Sequence, residues 1–455
     1  ALSDHMLSRE TDGKPLAPVR TVHLGLGNFF RAHSAAYTDR CSSDWGIAAF
    51  SGRTNTHVAE LAAQDCLYTL VVQGKDVTHE VISSLSAVHP GHDLAAWRGY
   101  FASPEVTVVT LTITEAGYVQ DSTGALDVKN EAVAVDIEAL KKSPLGGTVT
   151  TAPGKLIAGL LARRDADAGP ITIVPCDNLV KSGAITRRVV EELGAEVDES
   201  LQEWIDAHVG FVTTMVDRIT PRPTEADIAA VAEVTGVCDR APVVTEPFTE
   251  WVIEGDFVAD RPAWEECGAN FVDDIVPFEH RKLWLLNGSH SLMAYAGPIL
   301  GRETVYEGIT DPVLRGWVDE WWDAAVQHLP LPADQVAAYR QALVDRFENP
   351  SIRHLLSQIA ADGSQKIPIR FVPTLKAELA NGIVNPGATR PIAAWILHLR
   401  GYGPVGVNDF RADEVKALVV EDEAQTVKNV LKWLGVNNDE VASTVLRQMH
   451  EILAA

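Results

Sequence analysis

Residues 18–41, PVRTVHLGLGNFFRAHSAAYTDRC, decide the fold of the first half of this chain. Their first part is an apolar run that ends in glycines and predicts a buried strand, and their second part is amphipathic and predicts a helix. Gly25 permits a tight turn, and Gly27 lets a pyrophosphate approach the backbone at the start of the helix. Phe30 stands where the third glycine of the dinucleotide-binding pattern would fall, so a plain strand–helix turn is an open alternative.

Strands alternate with helices from this point to about residue 275. We predict strands at 45–51, 106–114, 171–175, 211–217 and 242–255, and helical segments from 56, over 128–161 and over 182–208. This alternation is typical of a parallel sheet with helices on both faces. Turn-rich residues 255–274 then mark a domain boundary.

The helical period dominates beyond that boundary. We predict helices at 313–329, 333–347, 352–361, 391–399 and 414–434, with Trp317, Trp321 and Trp322 as core residues. The predicted fold class is therefore α/β. Residues 1–275 form an N-terminal Rossmann-like dinucleotide-binding domain, and residues 276–455 form a mostly α-helical C-terminal domain that binds substrate and carries the catalytic residues.

Polar residues follow two of the predicted central strands. Glu115 comes directly after the strand at 106–114, and Asp177 and Asn178 follow the strand at 171–175. The carboxyl ends of parallel strands line the ligand crevice of an open α/β sheet, so all three are candidate site residues. A solvated loop carboxylate is the simpler explanation for Glu115.

Residues 278–297, FEHRKLWLLNGSHSLMAYAG, place Lys282, Asn287 and His290 in an apolar run. A lysine base with amide and imidazole donors suits a metal-free alcohol dehydrogenase. Asn287 and His290 share one side of a straight helix, but Lys282 lies about 12 Å below His290 along the axis. The helix must therefore bend, for which Gly288 offers a place, or the substrate must be long. The alternative is a core helix with a snorkelling lysine and a satisfied histidine.

Composition excludes several classes of function. The 455 residues carry a net charge of −24, which disfavours nucleic acid and membrane partners. No apolar run is long enough for a bilayer, and the polar start of the chain predicts a cytoplasmic protein. The five cysteines are scattered, so neither a disulfide framework nor a zinc site is expected.

Six separated motifs resemble the polyol-specific long-chain dehydrogenases, the family that includes mannitol 2-dehydrogenase, fructuronate reductase, mannonate oxidoreductase and D-arabinitol 4-dehydrogenase. The resemblance covers most of the chain. The motifs are GLGNFFRAH from Gly25, LTITEAGY from Leu111, CDNL from Cys176, MVDRITP from Met215, TEPF from Thr245 and KLWLLNGSHS from Lys282. Two departures stand out: Phe30 replaces the usual histidine, and Thr213-Thr214 replaces the common Asn-Ser.

The resemblance implies a role for each matching residue. Lys282 is implied as general base, Asn178 and Asn287 as donors to the reacting oxygen, and His290 and Asp217 as substrate-binding residues. Glu115 is implied as a carboxylate near the proton exit. The expected cofactor-binding residues are Gly25, Gly27, Asn28, Phe29, Arg31, Ser51, Arg53 and Glu115. The expected reaction interconverts a polyol and a ketose, most readily D-mannitol and D-fructose, without metal. Burial must lower the pKa of Lys282 for it to act as base.

Several alternatives stay open. The substrate could be D-arabinitol, or a sugar acid such as fructuronate or mannonate, and Arg370 would then be a candidate to meet the carboxylate. A non-catalytic nucleotide-binding regulatory protein is a second alternative. NAD is the expected cofactor. NADP is possible because no acid lies between Asp44 and Glu60, while Arg53 could pair with a phosphate. We expect a monomer or a small homo-oligomer.

Overall fold

The computed structural model describes residues 4–455. They divide into two compact units, one ending at Ile275 and the other beginning at Val276. Within the described residues, no helix is both long enough and apolar enough to span a membrane.

The first unit contains twelve strands and nine α-helices among its described residues. The strands are β1 Val19–Leu24, β2 Gly46–Phe50, β3 Tyr68–Gln73, β4 Val77–Ile82, β5 Leu85–His89, β6 Val108–Leu111, β7 Ile171–Pro175, β8 Val209–Phe211, β9 Thr213–Asp217, β10 Val243–Thr245, β11 Glu250–Glu254 and β12 Asn270–Val272. The helices are α1 Asn28–Ala32, α2 Ser34–Cys41, α3 Val58–Ala63, α4 Leu94–Phe101, α5 Glu131–Lys142, α6 Ala152–Ala166, α7 Ser182–Val197, α8 Leu201–His208 and α9 Glu225–Thr235.

The central sheet is parallel and has the strand order β5-β2-β1-β6-β7-β8. Without the inserted hairpin β3-β4, this is the 3-2-1-4-5-6 order of a doubly wound nucleotide-binding fold. Both faces are covered, since Ala48 and Phe50 of β2 belong to one buried cluster and Ile47 and Ala49 to another. The predicted α/β class and Rossmann-like sheet are confirmed.

Two smaller sheets complete the first unit. One has the order β10-β3-β4 and the other the order β12-β11-β9. The prediction of one strand at 211–217 was wrong, because β8 ends on the central sheet and β9 pairs antiparallel with β11. The hairpin β3-β4 and strand β5 were not predicted.

The second unit is helical throughout. Its helices are α10 Val276–Arg281, α11 Gly288–Ala296, α12 Val305–Thr310, α13 Pro312–Val326, α14 Ala333–Phe347, α15 Leu356–Ile359, α16 Gly363–Arg370, α17 Val372–Ala380, α18 Pro386–Leu399, α19 Ala412–Lys416, α20 Glu423–Trp433 and α21 Asp439–Ala454. A π-helical turn, Lys282–Asn287, joins α10 to α11. Every residue of α11 is buried, because α13, α15 and α18 pack around it.

Some helix boundaries differ from the sequence-based expectation. The helix predicted at 391–399 begins at Pro386, where the Asn385 side chain accepts a hydrogen bond from the Gly387 N–H as an N-cap. The helix predicted at 414–434 is interrupted between α19 and α20, and the one predicted at 352–361 is only the short α15.

Candidate active site

The glycine turn after β1 has the geometry that a dinucleotide requires. Gly25 has φ +107°, and a Cβ there would lie 2.0 Å from the Thr112 carbonyl oxygen, so no other residue fits without displacing the β6 exit. Beside Gly27 the space is open, with no atom closer than 3.8 Å to a Cβ position. The turn therefore packs tightly on its sheet side and leaves its outer side accessible to a ligand.

His23 holds this turn from inside the sheet. Its Nε2–H donates to the Gly25 carbonyl oxygen (3.1 Å) and lies 3.0 Å from the Thr112 hydroxyl, while Nδ1 accepts from the Thr110 hydroxyl (2.7 Å). The ring stacks on Phe30 at 3.5 Å between centroids. Burial lowers the pKa of His23 to about 3, so the ring is neutral. Phe30 thus packs on His23 at the position where the usual pattern has its third glycine.

Arg31 also stabilises the glycine turn, through hydrogen bonds to residues at the start of α1. It is fully buried, and its guanidinium donates to the Gly27 carbonyl oxygen (3.3 Å), the Asn28 side-chain oxygen (2.9 Å) and the Ala241 carbonyl oxygen. Arg31 therefore acts on the turn through Gly27 and Asn28. Phe29 is half-buried and stacks on His33.

Two of the predicted cofactor-binding residues, Ser51 and Arg53, follow β2 and differ in exposure. Ser51 is fully buried, and its hydroxyl donates to the Asn55 side chain (2.9 Å) and accepts from the Gly91 N–H (2.8 Å). Arg53 is exposed on the loop that follows. Of the two, only Arg53 has a side chain that extends into solvent.

Asp177 shapes the exits of β6 and β7. Its carboxylate accepts from the Ile113 N–H (2.9 Å), the Thr114 N–H (3.0 Å) and the Tyr118 hydroxyl (2.6 Å). These bonds hold Thr114 at φ +66° and ψ 164°, a conformation that few residues other than glycine adopt. Glu115 follows and is exposed.

The other predicted residues of the first unit occupy different environments. Asn178, which follows Asp177 in the sequence, is exposed after β7, whereas Asp217 is buried at the end of β9 with 6% of its surface exposed.

The π-helical turn changes how the residues of the second unit are arranged. In an α-helix, residues five positions apart point to different sides, because each residue turns about 100°. A π-helix bonds residue i to residue i+5 and places these residues nearly above one another. Lys282 and Asn287 are both half-buried, while Trp284, Leu285 and Leu286 between them are buried. Lys282 and Asn287 therefore lie on about the same side of this turn.

Side chains satisfy four consecutive carbonyls of this turn. The Trp321 indole N–H donates to the Trp284 carbonyl oxygen (2.8 Å), and the Trp322 indole N–H donates to that of Leu285 (2.9 Å). The Ser289 hydroxyl lies 2.7 Å from the carbonyl oxygen of Leu285 and 2.9 Å from that of Leu286. Arg370 donates to that of Asn287 (3.1 Å).

Gly288 makes the approach of Trp321 possible. A Cβ at this position would lie 2.7 Å from the indole nitrogen. Trp321 and Trp322 are core residues as predicted, whereas the prediction for Trp317 was wrong because its side chain is only half-buried. The role of the two indoles as donors was not predicted. The sequence signal for this donor role was the presence of two indole N–H groups at adjacent positions of α13.

His290 follows one turn after Asn287, inside α11. It is buried with 8% of its surface exposed, and its Nε2 has no hydrogen-bond partner in residues 4–455. Burial, followed by the positive charges nearby, lowers the pKa of His290 well below the usual value. His290 is therefore neutral and presents an unpaired buried nitrogen, which suits a ligand hydroxyl.

Basic side chains surround His290. Lys366 donates to the Ile359 carbonyl oxygen (2.8 Å), and burial followed by the charge of Arg370 lowers its pKa to about 8. Arg370 also donates to the Ser291 hydroxyl (2.8 Å), while its Nε is buried without a partner among the described residues. One nitrogen of Arg370 is thus occupied by the α11 segment.

In the described part of the chain, no three His, Cys, Asp or Glu side chains cluster in a way that could hold a metal ion. The polar side chains of residues 282–290 include a lysine, an amide and a neutral imidazole.

A doubly wound sheet with this glycine turn is the architecture of dinucleotide-dependent oxidoreductases, and that class is defined by the first unit. The Mannitol dehydrogenase Rossmann domain family matches residues 19–266, and the Mannitol dehydrogenase C-terminal domain family matches residues 274–453. The chain belongs to the mannitol dehydrogenase family and is an oxidoreductase.

Individual relatives agree with this assignment. D-mannonate oxidoreductase of Escherichia coli is 35% identical over 443 residues, which are 93% of this chain and 89% of that protein. D-arabinitol 4-dehydrogenase of Ralstonia nicotianae is 39% identical over 84% of this chain and 83% of its own length. The ternary complex of Pseudomonas fluorescens mannitol 2-dehydrogenase with NAD and D-mannitol is 34% identical, with a TM-score of 0.77 over 100% of this chain and 94% of that one.

Replacing Trp321 tests what holds the π-helical turn. We expect Trp321→Phe to lower the free energy of unfolding by ~1–3 kcal/mol, because the Trp284 carbonyl loses its indole partner. Turnover should fall as well, since Lys282 and Asn287 would no longer be held on the same side of the helix. Trp317→Phe, a half-buried tryptophan of the same helix, is the control. Equal stability and turnover in the two variants would contradict the proposed role.

Replacing His23 tests the neutral histidine under the glycine turn. Unfolded His23 has a pKa near 6.5 and the folded ring about 3, so unfolding takes up a proton within this range. The contribution of His23 to the free energy of unfolding is therefore largest above pH 6.5 and decreases as the pH falls. His23→Gln should reduce the pH dependence of the unfolding free energy between pH 6.5 and 4.5 by up to ~1.4 kcal/mol per pH unit. The exposed His92→Gln is the control, and unchanged slopes in urea titrations would refute the assignment.

Proposed function

We propose that this enzyme oxidises a secondary hydroxyl of an open-chain polyol to a ketone with NAD, and reduces the ketose in reverse. D-mannitol and D-fructose are the substrate pair we favour. The observation that carries the proposal is the π-helical turn, which places Lys282 and Asn287 on one side, one turn before the unpaired Nε2 of His290. The D-mannitol and NAD bound to the related Pseudomonas fluorescens enzyme support the choice of substrates.

Each residue has a role in the proposed mechanism. Lys282, in its neutral form, takes the proton of the reacting hydroxyl. Asn178 and Asn287 donate hydrogen bonds to the oxygen as negative charge develops on it, and one such preorganised donor is worth roughly 3–4 kcal/mol. His290 and Asp217 orient the substrate hydroxyls. The nicotinamide cofactor, when bound, accepts the hydride.

The residues of the first unit fit a dinucleotide. Open space beside Gly27 admits the pyrophosphate, and the tight packing of Gly25 on Thr112 keeps the turn in place without a ligand. Asn28 and Phe29 would line the same turn, and Glu115 would lie at the neighbouring strand exit.

A sugar acid is a second candidate substrate. The basic side chains near His290, above all Lys366 and Arg370, favour a substrate with a carboxylate. D-mannonate oxidoreductase is also among the relatives. Initial rates measured side by side with mannitol, arabinitol, sorbitol and mannonate test the choice. A kcat/KM for mannonate well above that for mannitol would overturn the polyol proposal.

Removing the proposed base should abolish most of the activity. We expect Lys282→Ala to lower kcat by ~10²-fold or more while the dissociation constant for NAD changes little. The matched control is Lys142→Ala, an exposed lysine of α5. Near wild-type turnover in Lys282→Ala would remove the assignment.

Cofactor choice depends on the loop after β2. No acid lies between Asp44 and Glu60 to repel a 2′-phosphate, so we expect NADP to be accepted as well as NAD. Arg53→Ala should raise the KM for NADP more than the KM for NAD, because a guanidinium pairs with phosphate. If the unaltered enzyme shows no turnover with NADP, Arg53 has no phosphate-binding role.

A further inference from the structure

Lys155 is a buried lysine that no step of the proposed reaction uses. It lies in the first turn of α6, and only 8% of its surface is exposed. In residues 4–455 its ammonium has neither a hydrogen bond nor an ion pair within 4.0 Å. A lysine at such a buried position, without a partner for its charge, is unfavourable in a folded protein unless a ligand supplies the missing charge.

The nearest carboxylate is already engaged. Asp136 accepts hydrogen bonds from the Thr150 N–H (3.0 Å), the Thr151 N–H (2.9 Å) and the Thr151 hydroxyl. Its charge raises the pKa of Lys155 only as a lesser effect, and burial lowers that pKa overall. Asp136 therefore caps the start of α6 and leaves the Lys155 ammonium without a direct partner.

The ammonium lies beside the exits of two central strands. A Cβ on Gly91 would be 3.3 Å from the Lys155 Nζ, 2.3 Å from the Ser51 carbonyl oxygen and 2.9 Å from that of Gly52. Gly91 follows β5, and Ser51 and Gly52 follow β2. In a doubly wound sheet, the end of the second strand is where an acidic residue holds the adenosine ribose of NAD. Here that position has no acid, and a lysine lies next to it.

We propose that Lys155 binds the 2′-phosphate of NADP, as a specificity residue at the adenosine end of the cofactor site. The ammonium acts as a point charge on the phosphate, and Arg53 on the exposed loop contributes a second cation. A side chain at Gly91 would collide with the Ser51 carbonyl oxygen, so the two strand exits pack closely there, whereas the space beside Gly52 is open, with no atom within 4 Å of a Cβ position, and admits the phosphate. This inference rests on the nucleotide-binding part of the proposed function and is independent of the polyol.

Binding of nucleotide fragments tests the proposal without catalysis. Titration calorimetry on the full chain compares 2′,5′-ADP with 5′-AMP for the unaltered protein and for Lys155→Met. We expect the unaltered protein to bind 2′,5′-ADP roughly tenfold or more tightly than 5′-AMP, and Lys155→Met to lose most of this preference while binding 5′-AMP as before. Lys142→Met, on exposed α5, should keep the preference.

Two outcomes would overturn the assignment. One is an unaltered protein with no preference between the fragments, and the other is a Lys155→Met variant in which both affinities fall equally, as a purely structural lysine would produce. If Lys155→Met does not fold, reductive methylation of the unaltered protein gives the answer. Saturating 2′,5′-ADP should protect Lys155 from methylation and 5′-AMP should not, and equal labelling would refute the proposal. Because fragment binding is measured without catalysis, these results can be interpreted even if the protein oxidises no polyol.

Discussion

The arrangement of residues 282–290, the proposed catalytic segment, depends on the side chains that bond to the carbonyls of the π-helical turn. A π turn widens the helix and is rare outside functional sites, so it persists only where its neighbours stabilise it. Here Trp321, Trp322, Ser289 and Arg370 bond to four successive carbonyls, from Trp284 to Asn287. These donors come from α13, α11 and α16. The position of the proposed base is therefore a consequence of tertiary packing within the helical unit.

In the nucleotide-binding unit, side-chain hydrogen bonds to backbone atoms also fix the conformation of turns, but other residue types supply them. Two of its strand exits are held by buried polar side chains, the glycine turn by His23 and the exit of β6 by Asp177. Each bonds to backbone atoms of a strand exit and leaves the outer side of the turn open. Both residues are buried in a low-dielectric interior, where such bonds are strong and their loss is costly. Rigid support from below and an accessible outer surface are what a preorganised cofactor site requires.

Many of the strands and helices could be predicted from the sequence because they have strong local patterns of apolar and polar residues. The strand Ile171–Pro175 and the helix Ala333–Phe347 occur as predicted, since the first is a short, continuous apolar run and the second has helical periodicity. Residues 211–217 form two strands because separate sheets compete for them, which no local pattern reveals. The π turn was not predicted either. The sequence predicted an α-helix in which Lys282 lies about 12 Å from His290 along the axis. The indole groups that stabilise the π turn belong to a helix 37 residues further along the chain. The roles assigned to Lys282, Asn178 and Asp217 stay predictions.

The central claim is that Lys282 is the proton acceptor at the end of this turn, and chemical rescue measures that directly. The Lys282→Ala variant removes the amine and leaves a space for a small one. Mannitol oxidation by this variant should increase in proportion to the free-base concentration of added methylamine or ethylamine, and rates corrected for amine size should rise with amine pKa. The same amines should not accelerate the unaltered enzyme. A variant that binds NAD normally but is not accelerated by any amine would contradict the account.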